Sequence, residues 1–159
     1  MSPTAHNRVE VLHGVNLDAL GRRDPEHYGT LTLRELETQV KRFGRDLDLE
    51  VAFFQTNNEG DYVERLHRLP EVADGAVLNP GAWTHYSWAI RDALEIAGLP
   101  AVEVHLSDVD AREEWRRLSV LEGVAPWTLL SHTPRGELRP LLQFANSPFR
   151  GFIGVAGIA

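Results

Sequence analysis

The chain of 159 residues contains no cysteine and a single lysine. Without cysteine there is no disulfide, no thiolate nucleophile and no cysteine-ligated metal, and the redox compartment stays open. The one lysine, Lys41, falls on the polar side of a helical pattern, which argues against imine chemistry. No apolar run approaches the length of a membrane span, and no basic-then-apolar signal segment opens the chain. A cytoplasmic location without a membrane partner is therefore expected. Positive charge is also scarce, with 16 Lys and Arg against 23 Asp and Glu, for a net charge of -7. That balance argues against a nucleic-acid partner, which would need a basic face.

What positive charge there is lies in arginine, which suits planar recognition of carboxylate or phosphate. A hydrophobic content of 43% and a charged content of 25% are ordinary for a soluble globular protein, and the length fits one domain over residues 1–159. Residues 1–7 read as a flexible leader. Val9 to Leu12 reads as a strand, followed by a polar, Gly-rich segment from Gly14 to Thr30. Thr32 and Glu35 have capping-box spacing, ahead of an apolar stripe at Leu33, Leu36, Val40 and Phe43. Leu47 to Phe54 is a second strand, and Tyr62, Val63, Leu66 and Leu69 mark a second helix.

Ala76 to Leu78 forms a third strand, stopped by Asn79-Pro80-Gly81. Thr84 is the expected cap of a helix reaching about Ala97, with Gly98 as its stop. Val102 to Leu106 is the fourth strand, and Asp110 with Glu113 repeats the capping-box spacing before another helix. Strand and helix thus alternate four times, the pattern of a parallel sheet covered on both faces. Further on, Trp127 to Leu130 reads as an edge strand, Glu137 to Phe144 as a short helix, and Phe152 to Val155 as a candidate fifth strand. The last strand is the uncertain part of the architecture.

Ligands of such sheets bind beyond the carboxyl ends of the strands. Asn16, Asn79, His85 and the pair Glu103 and His105 all fall there. A two-residue step on a strand returns to the same face, so Glu103 can orient His105 and favour its protonated form as a general acid. Asn16 and Asn79 can hold a water or hydroxyl through both donor and acceptor, although asparagine is also a common turn former. His85 sits where a helix begins, and the positive dipole end disfavours imidazolium; a neutral ring can donate to a substrate hydroxyl or accept from it. His85 and His105 lack a compelling third metal ligand. In the Gly14-to-Thr30 segment there is neither a dinucleotide fingerprint nor a P-loop. That segment is long enough to close over a ligand, and it carries Arg22, Arg23 and Tyr28; a guanidinium near a tyrosine favours phenolate. Arg112 and Arg116, one helical turn apart, can face one anion. Leu106 and Ser107 can present backbone N–H groups to a carboxylate.

Five ordered stretches resemble the type II 3-dehydroquinate dehydratases. They are Leu12-His13-Gly14-Val15-Asn16-Leu17-Asp18, Leu20 to Gly29, Gln55-Thr56-Asn57-Asn58-Glu59-Gly60, Asn79 to Ala93, and Glu103 to Asp108 with Ala111 to Arg116. The resemblance implies a flavodoxin-like three-layer sandwich with a five-stranded parallel sheet, and a dehydration that uses neither cofactor nor metal. It implies a homo-oligomer, a dodecamer built from trimers, acting on the small molecule 3-dehydroquinate. By the same resemblance, Tyr28 activated by Arg23 would remove a proton from C2, and Asn16 would hold a water that stabilises the enolate. His105 oriented by Glu103 would protonate the departing C1 hydroxyl. Asn79, His85 and Arg116 would bind ring hydroxyls, and Leu106 and Ser107 the carboxylate. Arg112 would have a supporting role, and Asp92 would reach a neighbouring subunit's site.

The chain departs from the family pattern at Val15 in place of Pro, at Asp108 in place of Asn, and at Ser119-Val120 in place of Ser-Tyr. Residues 122–150 read as a divergent or inserted segment, and the family's final helix is not expected. The alternative is a non-catalytic, oligomeric or small-carboxylate-binding relative. A flavin carrier is disfavoured because no Ser/Thr-rich phosphate loop follows the first strand.

Overall fold

The computed structural model of the chain describes residues 7–107 and 111–125 and the backbone of 127–130. Its strands are β1 (Arg8–His13), β2 (Glu50–Gln55), β3 (Gly75–Asn79), β4 (Ala101–His105) and β5 (Trp127–Leu130). Its helices are α1 (Pro25–Tyr28), α2 (Leu33–Asp46), α3 (Glu59–Val72) and α4 (Trp88–Ala97). All strand pairs are parallel, in the order β2-β1-β3-β4-β5. That is the flavodoxin-like order, with its switch point between β1 and β3. The edge strand expected at Trp127 to Leu130 is β5, in register Val102↔Trp127 and His105↔Leu130 with β4. The helix expected at Glu137 to Phe144 and the strand expected at Phe152 to Val155 lie outside the described residues, as do Asp108 and residues 1–6. Asn7 is already anchored, since its carbonyl accepts the Glu50 N–H at 2.9 Å and its amide donates to the Asp48 carbonyl at 3.1 Å.

Two apolar layers enclose the sheet. Leu12, Leu78 and Ala101 meet Tyr62, Leu66, Ile90 and Leu94 from α3 and α4. On the other face, Val9, Val11, Val77, Val102 and Val104 meet Leu36 and Val40 of α2. Alternating strand residues thus supply both cores. α2 starts with the expected capping box: the Thr32 hydroxyl accepts from the Glu35 N–H, and the Glu35 carboxylate accepts from the Thr32 N–H at 2.8 Å. Lys41 is exposed on this helix. Asn58 caps α3 by accepting from the Gly60 N–H at 2.9 Å.

Three local expectations change. The cap of α4 is Ser87, whose hydroxyl accepts from the Ile90 N–H at 3.1 Å; Thr84 instead sits inside a 3-10 helix over Gly81–His85 and points at Glu103. Gly98 does end α4, in the left-handed region at φ 62°. Beyond β4 the expected helix is, among the described residues, a 3-10 turn, Glu114–Arg117; Glu113 ahead of it makes no side-chain cap and accepts from Arg116 Nε at 2.8 Å, and the expected cap Asp110 lies outside the described residues. The segment expected to be a long loop contains α1, started by the Asp24 carboxylate accepting from the Glu26 N–H at 3.0 Å with Pro25 at the first helical position.

Candidate active site

The ends of β1 and β3 come together closely. Gly14 donates its N–H to the Asn79 carbonyl at 2.8 Å, and a Cβ on Gly14 would lie 2.3 Å from the Pro80 carbonyl oxygen. Only glycine fits such an approach. The polypeptide then turns at Asn16, which adopts the left-handed conformation with φ 66°. Asn57, just past β2, accepts the Asn16 N–H on its Oδ1 at 2.8 Å and so braces that turn. Val15 packs against the α3–α4 side of the core. The result is a cleft with about 570 Å³ of empty space, part of it open to solvent, at the carboxyl edge of the sheet.

One wall is β4. Glu103 and His105 share a face as expected, and His105 Nε2 lies 2.8 Å from Glu103 Oε1. The Thr84 hydroxyl also donates to Oε1, and the Ser119 hydroxyl donates to Oε2 at 2.7 Å. Burial pushes the Glu103 carboxyl up, but the hydrogen bonds from His105, Thr84 and Ser119, with the charge of His105, hold it below the ordinary carboxylate range. An ionised carboxylate only accepts, so His105 Nε2 carries its proton and Nδ1 is the nitrogen left for a ligand.

His85 follows the same logic. Its Nδ1 lies 2.7 Å from the Leu118 carbonyl, which can only accept, so in the neutral ring Nε2 is an acceptor. The expected downward shift of its pKa is present, but burial is the main cause. The Leu118 contact opposes that shift, and His105 and Arg116 add to it. The rings of His85 and His105 stack with centroids 6.2 Å apart.

The opposite wall is the Tyr28 segment. Arg23 donates to the Tyr28 phenolic oxygen at 2.7 Å, and Arg112 donates to the same oxygen at 2.5 Å. The Arg23 guanidinium also covers the ring at 3.6 Å from its centroid. Two donor-only cations on one oxygen form an arrangement that stabilises an oxyanion. Burial lowers the Arg23 pKa from its ordinary value; Tyr28 opposes this, while Arg112 and Arg116 add to it.

A family model described as "Dehydroquinase class II" matches residues 7–136. The chain belongs to the class II dehydroquinase family. It is 50% identical over 119 residues to the 3-dehydroquinate dehydratase of Pelobacter propionicus, covering 74% of this chain and 80% of that one. It is 41% identical over 140 residues to the 3-dehydroquinate dehydratase of Halothermothrix orenii, covering 88% and 95% of the two. The crystal structure of the type II dehydroquinase from Propionibacterium acnes superposes with a TM-score of 0.84 at 37% identity, over 89% of this chain and 97% of that one.

Of the residues expected in a dehydroquinase site, Asn16, Arg23, Tyr28, Asn79, His85, His105, Leu106, Ser107 and Arg116 all line the cleft. Glu103 stands behind His105, fully buried. Asp92 is exposed on α4 and does not line this cleft. Arg112 and Arg116 do not sit on one helical face. Glu113 gathers them instead, at 3.5 Å from Arg112 and 2.8 Å from Arg116. Sequence reasoning gave Arg112 a supporting role only, and it assigned none to Asn57, Thr84 or Ser119, which brace Asn16 and Glu103. Asn57 and Thr84 lay inside family motifs without an assigned role. Ser119 matches the Ser of the family's Ser-Tyr and had no assigned role, since its partner Glu103 lies 16 positions away. Among the described residues no group of three potential metal ligands gathers.

Proposed function

We propose that this class II dehydroquinase dehydrates 3-dehydroquinate to 3-dehydroshikimate through an enolate. The observation that carries this reading is that Tyr28, bonded by two guanidinium groups, and His105, backed by Glu103, line the same cleft. Tyr28 as phenolate takes the proton from C2, and the C–H electron pair moves into the adjacent carbonyl to give the enolate. A water held at Asn16 stabilises the enolate oxygen. The enolate collapses to the C1–C2 double bond, the C1–O bond breaks, and His105, entering as the imidazolium with a proton on each ring nitrogen, delivers the Nδ1 proton to the departing hydroxyl, which leaves as water while the ring returns to the neutral Nε2–H form. Asn79, His85 and Arg116 bind ring hydroxyls, His85 as an acceptor at Nε2. Leu106 and Ser107 N–H groups hold the carboxylate, fixing the ring between base and acid.

A cytoplasmic dodecamer built from trimers completes the reading, with Asp92 serving a neighbouring copy's site. Exposed Trp88 and Ile96 on the same helix support an assembly that covers them. No described helix is long and apolar enough to cross a membrane.

Appearance of the conjugated enone, followed by ultraviolet absorbance, tests the reaction. Tyr28→Phe and His105→Ala should each lower kcat by roughly 10²–10⁴-fold. Tight binding of a cyclic carboxylate without turnover by the unmodified chain would contradict the reading and favour a binding protein.

A further inference from the structure

After the 3-10 turn, residues 118–121 are strapped to the elements that carry the two cleft histidines. The Val120 N–H donates to the Thr84 carbonyl at 2.8 Å, His85 Nδ1 donates to the Leu118 carbonyl at 2.7 Å, and Arg91 donates to the Val120 carbonyl at 2.5 Å. Within this strap the Ser119 hydroxyl meets a backbone donor, the Glu103 carboxylate and, at 3.3 Å, the Thr84 hydroxyl. It accepts the Leu121 N–H at 3.1 Å, which directs its proton to Glu103 Oε2 at 2.7 Å. Thr84 supplies the matching donor on Oε1, beside His105 Nε2.

We propose that Ser119, together with Thr84, is a positioning residue of the dehydration site. Its hydroxyl anchors the second oxygen of the Glu103 carboxylate and so holds the His105 ring with the proton on Nε2 and Nδ1 turned to the cleft. Glu103 is fully buried, where a carboxylate short of donors tends to take up a proton. A neutral Glu103 could donate to Nε2 instead, and the neutral ring would then carry its proton on Nδ1. The strap therefore decides which nitrogen of the neutral histidine ring carries the proton. Among the described residues, the groups facing Glu103 include His105 on β4, Thr84 and His85 on the 3-10 helix, Ser119 on the strap and Tyr62 on α3; Arg116 acts on His85.

The kinetic part of this inference rests on the dehydration reading, whereas the tautomer does not depend on turnover. In ¹⁵N-labelled full-length protein, the ring nitrogen shifts of neutral His105 report which nitrogen is protonated. The native protein should show the Nε2–H form alone. Ser119→Ala should show a mixture of both forms, with the basic limb of kcat/KM moved to lower pH by about one unit. Ser119→Thr, which keeps the hydroxyl, should restore both signatures. Thr84→Val should shift both in the same direction, and Thr84→Ser should reverse that. A single Nε2–H form with a native pH limb in both Ser119→Ala and Thr84→Val would overturn the proposal. If the native protein showed no dehydration, the reaction reading would fail, while the ring signals of the same variants would still decide the role of Ser119.

Discussion

The two walls of the cleft are built by opposite means. The His105 wall is a strand of the central sheet, with every residue of β4 buried and its carboxylate fixed by three side-chain donors. The Tyr28 wall is the connection between β1 and α2, where α1 has no buried residue and Tyr28 is held by Arg23 of the same segment and by Arg112, 84 positions away. A general acid whose tautomer matters gains from a rigid, dry surround. A base that must admit substrate and then exclude water gains from a segment that can open. Under the proposed mechanism, the contrast separates proton positioning, built into the core, from access, built at the surface.

Hydrogen exchange offers the broadest way to break that contrast. Backbone amides of residues 101–105 should exchange at least about 10³-fold more slowly, after correction for intrinsic rates, than those of residues 22–29. Comparable protection in both segments would remove the distinction. Mutations should divide in the same way. Glu103→Ala empties a buried site and strands two hydroxyl donors, so it should destabilise by about 3 kcal/mol, read as a lower melting temperature. Arg112→Met on the other wall should leave the melting temperature nearly unchanged while lowering kcat by roughly 10²-fold. A large melting loss for Arg112→Met would mean that the Tyr28 wall is also part of the structural core.

A smaller effect concerns the root of the Tyr28 segment. His13 ends β1 fully buried, stacked on Phe53, and burial pushes its pKa down to about 4. Because this folded value lies below the unfolded one, the unfolded chain takes up the proton first as pH falls. The stability linked to His13 is therefore complete above about pH 6.5 and is lost as pH drops toward 4, about 2 kcal/mol of it between pH 7 and pH 5. Urea unfolding at those two pH values should show the loss in the native protein and a reduced loss in His13→Gln. Equal losses would place the acid sensitivity elsewhere.

Much of the sheet was legible because its signals are local. Alternation through Val9 and Val11, the Thr32 and Glu35 box, and the stop at Gly98 each follow from a few neighbouring residues. Thr84 misled because a hydroxyl ahead of a helix suits an N-cap, yet the buried carboxylate of Glu103, 19 positions away, is the stronger partner for it. The helix expected after Asp110 is a 3-10 turn among the described residues, where Glu113 faces two arginines and makes no side-chain cap. The site followed the same rule. Glu103 and His105 could be read from their spacing on one strand, and the other cleft residues from the family motifs. The second guanidinium on Tyr28 and the Ser119 anchor arise from folding distant segments together, which spacing does not record.

The separation of a base wall from an acid wall is tested most directly by proton exchange in deuterium oxide. Incubated with 3-dehydroquinate, His105→Ala retains Tyr28 and both arginines, so it should incorporate deuterium at C2 above the enzyme-free background while forming little enone. Tyr28→Phe should do neither. Deuterium incorporation by Tyr28→Phe together with none by His105→Ala would contradict the assignment of base and acid to these two walls.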